Sequence, residues 1–173
     1  MIDILRTRSS IRRFENRPIE AEKRAILEEA VLLSPSSRGI KPWEFVFVDD
    51  SKLLEDLARC KPHGASFLKG CGLAIVVVGD EKKSDVWVED CSIAALIAHL
   101  TAHSLGLGSC WIQVRKRDHK DGVLAEAYVQ QLLGLPEHMR LEAIVAIGYP
   151  AAEKKKGPVS HNLDRSKVHN NEY

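Results

Sequence analysis

The stretch Val88–Val114, VEDCSIAALIAHLTAHSLGLGSCWIQV, decides how this chain folds. From Val88 to Leu105 apolar residues fall on nearly every side of a 3.6-residue period, with Ile93, Leu96, Ile97 and Leu100 as the densest face. A helix that is apolar all round belongs in the centre of a fold. Gly106 is placed to end it, and Cys110–Val114 (CWIQV) then reads as a strand.

Working outward, Leu73–Val78 (LAIVVV) reads as a strand buried on both faces, and Glu44–Val48 (EFVFV) as a shorter one. Leu53, Leu54, Leu57 and Ala58 mark a short helix between them. Before these, Glu20–Leu33 sets Ile26, Leu27, Ala30, Val31 and Leu33 on a helical stripe, preceded by Pro18 and stopped by Ser34-Pro35-Ser36-Ser37. Downstream, Gly122–Leu133 reads as a helix ended by Gly134 and Pro136, and Leu141–Ile147 as a strand. This alternation predicts an α/β or α+β layered domain. Residues 1–150 form the single domain, and 151–173 are a polar extension of it. The extension carries only Val159, Leu163, Val168 and Tyr173 as large apolar groups, too few for a core of its own, so it is either a frayed end or lies over another surface such as a second subunit, and the regular interspersal of these residues favours docking.

With 173 residues, 45% of them hydrophobic, the chain has the balance of a soluble globular domain. No apolar run approaches the roughly 20 residues of a membrane span, and Asp3 stands where a signal peptide would be apolar. A cytoplasmic protein with no membrane partner is expected. A net charge of +1 excludes nucleic-acid binding by whole-surface attraction, and no aromatic residues interleave with the arginine-rich start. That sum conceals segregation. Residues 1–17 carry Arg6, Arg8, Arg12, Arg13 and Arg17 against Asp3 and Glu15, the last 23 residues are also net basic, and the middle is acidic. Two basic ends on an acidic body suit a local anion site, or simply two solvated ends.

Cys60, Cys71, Cys91 and Cys110 are too widely spaced for a C-x-x-C clip and are expected to be reduced and mostly buried. His99 and His103 have the four-residue spacing of a metal pair. No Glu follows His99 and no third ligand lies nearby in sequence, so they are read as polar residues on a buried helix, and no metal site is expected. The turn after the first strand, Asp49-Asp50-Ser51-Lys52, has two acids and no glycine, so a dinucleotide fingerprint is absent. There is likewise no P-loop and no G-x-S-x-G elbow.

Three segments can carry chemistry. In Arg6-Thr7-Arg8-Ser9-Ser10-Ile11-Arg12-Arg13-Phe14, hydroxyls sit between guanidinium groups, and Arg8, Ser10 and Arg12 alternate so that an extended segment could turn all three to one ligand. The loop Ser34–Phe45 is stiffened by Pro35 and Pro42, and Gly39 lets a planar ligand or another backbone approach. Gly106-Leu107-Gly108-Ser109 could offer backbone N–H groups, or could simply permit a tight turn.

Taken together and in order, these segments resemble the nitroreductase family of flavin enzymes over nearly the whole chain. The resemblance lies in Arg8-x-Ser10-x-Arg12-x-Phe14, Pro18-Ile19, the Pro35-Ser36-Ser37…Pro42-Trp43 loop, Gly106–Trp111 after the central helix, and Ile147-Gly148-Tyr149-Pro150. It implies an α+β fold: a central mixed sheet packed with helices around a buried central helix, in a homodimer whose C-terminal tail extends over the partner. It implies FMN as cofactor and NADH or NADPH as hydride donor. The hydride would pass by a ping-pong mechanism to a small electron-poor acceptor, a nitroaromatic or a quinone. Carried over, Arg8 binds the FMN phosphate, Ser9 and Ser10 the phosphate and ribityl chain, and Arg12 the pyrimidine edge. Pro35, Ser36 and Ser37 reach the flavin of the partner subunit, with Gly39 standing where the family usually has Asn and Lys41 where it has Gln. Gly108 and Ser109 lie at the reactive edge, and Lys155 and Lys156 take the place of the basic pair that completes the phosphate site. A flavin-binding or nucleotide-sensing module of the same fold is the alternative. The absence of an acid–base dyad agrees with chemistry carried by a cofactor.

Overall fold

The computed structural model describes residues 1–152 and 163–173. Among the described residues nine α-helices and strands follow one another: α1 (Ile2–Thr7), α2 (Ala21–Leu32), β1 (Trp43–Val48), α3 (Ser51–Leu57), β2 (Leu73–Asp80), α4 (Trp87–Ser104), β3 (Gly108–Gln113), α5 (Ala125–Leu133) and β4 (Met139–Gly148). The strands form one sheet in the order β1-β2-β4-β3, every neighbouring pair antiparallel. The α+β class is as expected. The mixed character of the sheet rests on a single parallel bridge, Ser10 with Ser109, since the four strands themselves are antiparallel.

Why the sheet sits in the middle is legible in β2, which is buried at every position because both of its faces carry helices. On one face α2 and α4 lay Leu27, Val31, Ala94, Ala95, Ala98 and Ala102 over Leu73, Ile75, Val77, Val145 and Ile147. On the other, α3 and α5 bring Leu54, Leu57 and Val129 against Val76, Val78, Ile112, Ile144 and Ala146. Between Val77 and Val78 the β2–β4 register shifts, leaving Glu142 as the extra residue of a bulge.

The central helix turns over the sequence-based expectation about its faces. The side of α4 that packs inward is Cys91, Ala94, Ala95, Ala98 and Ala102. Ile93 and Leu96, from the face richest in large residues, are 40% and 49% exposed. Small residues let the helix axis approach the sheet, so the bulky groups are left pointing away from it. On α2, Leu27 and Val31 are buried as the stripe predicts, while Ile26 and Leu33 are exposed.

Boundaries follow local chemistry. The acidic turn after β1 is a helix cap, with the Asp50 carboxylate accepting from the Leu53 N–H at 2.8 Å, while Asp49 pairs with Arg24. Helix α5 starts at Ala125 rather than Gly122, because Asp121 and Gly122 both have positive φ. It ends at Gly134 in the left-handed region, as expected. All four cysteines are free and buried. Burial pushes the thiols of Cys60 and Cys71 up to about 11 and that of Cys91 up to about 12. Among the described residues no helix is long and apolar enough to cross a membrane.

Candidate active site

Strand β3 is an edge strand, and its free end is covered by the arginine-rich arm that follows α1. The Ile11 N–H donates to the Ser109 carbonyl at 2.9 Å, the Glu15 N–H to Tyr149 O at 2.8 Å and the Ala151 N–H to Arg13 O at 3.0 Å. Two glycines facing each other across β3 and β4 seat this arm. A Cβ on Gly108 would lie 2.8 Å from Ile11 Cβ, and one on Gly148 would lie 2.9 Å from the Phe14 ring. Beyond Phe14 the arm is anchored by Tyr149. Its ring lies 3.9 Å from the Arg17 guanidinium carbon, and its hydroxyl donates to Glu20, which holds that carboxyl down at about 2.

Arm, helix and strand enclose a cavity of about 760 Å³ lined by Thr7, Arg8, Ser9, Ile11, His103, Gly106, Leu107, Gly108, Ser109 and Pro150. Arg8, Ser9, Gly108 and Ser109 therefore come together as the sequence predicts. Ser10 and Arg12 belong to the same arm but do not line this cavity. They face the Cys110 thiol, and the Arg12 guanidinium stands 6.0 Å from the Phe67 ring. The alternation of Arg8, Ser10 and Arg12 thus does not put all three on one ligand face, because the arm runs across the end of the sheet and presents its groups to different places. A ligand touching both arginines has to be elongated.

Behind the cavity, α4 supplies two histidines that the metal-pair spacing had singled out. His99, 7% exposed, hydrogen-bonds through Nδ1 to Ser109 Oγ at 2.7 Å. Burial, and then the neighbouring charge of Arg8, push its pKa down to about 4, so the ring is neutral at physiological pH. His103, one turn later, bonds Thr7 Oγ1 at 2.8 Å. Thr7 and His103 were not picked out as ligand residues from sequence. The i, i+4 spacing was visible, but nothing local said which hydroxyls would meet it.

The second motif lies elsewhere. The Ser37 N–H donates to Asp90 Oδ1 at 2.8 Å, in the first turn of α4, and the Lys41 N–H donates to Ser36 Oγ at 2.8 Å. Arg38, Gly39 and Lys41 have positive φ, and the space where a Gly39 side chain would project is open. Asp90 and His103 are thirteen residues apart on α4, roughly 20 Å at the helical rise of about 1.5 Å per residue. Within one chain, Pro35, Ser36, Ser37 and Gly39 are thus far from the cavity. Lys155 and Lys156 lie outside the described residues.

A cavity of this size is within the range of small-molecule sites, roughly 300–1,000 Å³. Its polar groups, a guanidinium with two serine hydroxyls and the N–H groups of a glycine-containing turn, suit an anionic group at one end. Comparison with known proteins gives the same direction. The model of the Nitroreductase family matches residues 5–60 and 58–149. An FMN-dependent nitroreductase from Clostridium difficile R20291 superposes with a TM-score of 0.96 at 45% identity, over 100% of both chains. An Archaeoglobus fulgidus protein, whose name couples NADH dehydrogenase with NAD(P)H nitroreductase, is 33% identical over 97% of this chain and 95% of its own. The NADPH:FMN oxidoreductase of Vibrio harveyi, solved with NAD+, shares the fold at a TM-score of 0.83 and 24% identity, over 99% of this chain and 77% of that one. On the match over most of its length, carried by the arm, the central helix and the strands that frame the cavity, the chain belongs to the nitroreductase family.

Proposed function

We propose that this chain is an FMN-dependent oxidoreductase that passes a hydride from NADH or NADPH to a small electron-poor acceptor, of nitroaromatic or quinone type, in alternating half-reactions. The observation that carries the reading is the cavity shared by Arg8, Ser9, Gly108 and Ser109 under an arm that continues to Arg12. FMN, when bound, supplies the two-electron carrier that connects donor and acceptor. The chain supplies position and charge. Arg8 and the Ser9 hydroxyl hold the phosphate, with Lys155 and Lys156 as further cations. Arg12, farther along the arm, provides a cation for the pyrimidine edge, where negative charge accumulates on reduction. The Gly108–Ser109 backbone forms a close wall, with Ser109 Oγ fixed by His99. No residue need act as acid or base in the transfer itself, which agrees with the neutral His99.

The functional unit is a homodimer in this reading. For the Pro35-Ser36-Ser37 loop to touch the same flavin as Arg8, it must come from a second copy, given the length of α4 between them. Supporting this, Ile93 and Leu96 of α4, Leu32 of α2 and the following Leu33 are exposed, and so are Leu163, Val168 and Tyr173 of the tail. The tail of one protomer then extends over its partner.

The test is direct. The purified protein should be yellow or take up FMN. It should bleach under argon with NADH or NADPH and recover its colour with a quinone. Binding without bleaching would leave the flavin-binding module as the function, and failure to bind FMN would refute the reading. Arg8→Ala should weaken FMN retention at least tenfold, because a phosphate charge loses its bidentate partner.

A further inference from the structure

The outer edge of β3 carries more positive charge than one flavin phosphate uses. At its start the edge is covered by the arm, where Ser109 O accepts from the Ile11 N–H at 2.9 Å. In an antiparallel pair every second residue turns its backbone groups outward, so Trp111 and Gln113 follow Ser109 on that edge. Lys61 reaches it from the turn after α3, and its Nζ donates to Gln113 O at 2.8 Å. From Ser109 to Gln113 the strand advances roughly 14 Å, at about 3.4 Å per residue. Arg12 stands between them, beside the Cys110 thiol. Past the strand the chain turns, with the Arg117 N–H donating to Val114 O at 3.0 Å, and the Arg117 charge comes within range of Lys61. The segments carrying Lys61 and Arg117 are clamped together. A carbonyl can only accept, so His119 Nδ1–H donates to Cys60 O at 3.1 Å, and the His119 ring stacks on Tyr128 with centroids 4.3 Å apart.

Given the reading that FMN runs from its phosphate at Arg8 to its ring near Arg12, we propose that Lys61 and Arg117 form a second anion-binding point, which takes a phosphate of the nicotinamide nucleotide while its nicotinamide meets the flavin. Among the described residues neither side chain pairs with a carboxylate, Asp118 beside Arg117 included. The cations around them are committed: Arg59 to Glu55 and Asp56, and Arg115 to Glu142. The Lys61 ammonium has three N–H groups, and the one on Gln113 leaves the others for a ligand. Burial lowers the pKa of Lys61 and the Arg117 charge lowers it further, so an anion between the two relieves both influences. A flavin mononucleotide has one phosphate, at the far end of this line. A nicotinamide dinucleotide carries its pyrophosphate one ribose away from the reacting ring, which suits cations that stand beyond Arg12 along the same edge.

Titration of the FMN-loaded protein with NAD+ and with nicotinamide riboside, which lacks the phosphates, reads this point without turnover. NAD+ should bind at least about fivefold more tightly, and its advantage should shrink as salt rises from about 0.01 to about 0.1 M and the screening length falls from about 30 to about 10 Å. Arg117→Gln should weaken NAD+ binding about fivefold, the upper size of one exposed ion pair, and Lys61→Met/Arg117→Gln at least about tenfold. The single variant changes an exposed side chain that no described carboxylate holds, so it does not depend on the β3 edge surviving the loss of Lys61. Lys52→Gln removes the same charge from the first turn of α3, after β1 at the other edge of the sheet, and should leave NAD+ affinity within about twofold. In rapid-mixing reduction the loss in Arg117→Gln should raise the NADH concentration needed for half the limiting rate. An equal rise with NADPH assigns the pyrophosphate, and a larger one adds the 2′-phosphate. NAD+ affinity within about twofold of wild type in Arg117→Gln, an equal loss in Lys52→Gln, or no preference for NAD+ over the riboside overturns the inference and leaves the flavin reading intact. If the protein takes up no FMN, the flavin reading itself falls and this inference with it.

Discussion

Gly108→Ala tests how the arm is held. The added methyl would lie 2.8 Å from Ile11 Cβ and Cγ1 and 2.9 Å from Cγ2. Ordinary carbon contacts begin near 3.5 Å, so Ile11 has to retreat by about 0.7 Å. Its N–H is at the same time committed to Ser109 O at 2.9 Å, and the retreat stretches that bond past its useful range. Overpacking costs about 1–3 kcal/mol and the lost bond about 1 kcal/mol, which together give about 2–4 kcal/mol. The arm lies over the end of β3 and can lift away, so this energy should appear as lost arm docking more than as global unfolding. At about 1.4 kcal/mol per decade, FMN affinity should fall by at least about thirtyfold, while the melting temperature moves only a few degrees. Fluorescence titration with FMN and a thermal melt measure the two quantities. The double variant Gly108→Ala/Ile11→Ala should recover part of the affinity, because it removes Cγ1 and Cγ2 and leaves Cβ as the one atom of the three that still clashes. Gly108→Ala protein that binds FMN within twofold of wild type, or a double variant whose losses simply add, would refute this account of the arm.

His99 predicts a pH dependence of stability. Its folded pKa is depressed to about 4, so below the ordinary imidazole value near 6.5 the unfolded chain binds a proton that the folded chain does not. Stability should decline as pH falls from about 6.5 to about 4, by up to about 3 kcal/mol, and His99→Gln should flatten that slope in urea denaturation at pH 7.5 and 4.5. Glu142 acts in the opposite sense: burial raises its pKa against the pull of Arg115, so its contribution is lost as pH rises, and Glu142→Gln should leave the acid-side slope steeper or unchanged. In the proposed dimer, Leu96→Glu puts a carboxylate in an apolar interface and should shift sedimentation to the monomer while lowering FMN affinity. A monomeric variant that keeps wild-type FMN affinity would show that one chain alone holds the ligand.

Most strands and helices were legible because their periodicity is local. The LAIVVV run reads as a doubly covered strand from its residues alone, and β2 is buried at every position. What was not legible depends on facts outside a local window. Helix α1 is short and mixes Ile2, Ile4 and Leu5 with Asp3 and Arg6, so it shows no clear stripe. Arg8 and Arg12 share a motif but not a cavity, because a strand-like alternation assumes a straight segment, and this one crosses the end of a sheet. The seating of the arm could be seen only once Gly108 and Gly148 were known to face each other.

The face of α4 is the most informative discrepancy, since apolarity said that Leu96 would be covered without saying by what. Within the chain, the inward side is alanine-rich, and the large residues look outward. One end of the helix holds the Pro35-Ser36-Ser37 loop through Asp90, and the other backs the cavity through His99 and His103. The midpoint between Asp90 and His103 falls between Leu96 and Ile97, on the face rich in large apolar residues. In an isologous dimer a two-fold axis passing there packs two copies of α4 antiparallel and lays the Asp90 end of one beside the His103 end of the other. In the proposed dimer that arrangement would bring the loop of each protomer toward the cavity of its partner without any change of fold. The two features that looked unrelated, a helix too apolar on the wrong side and a motif about 20 Å from the cavity, would have one cause in the proposed dimer.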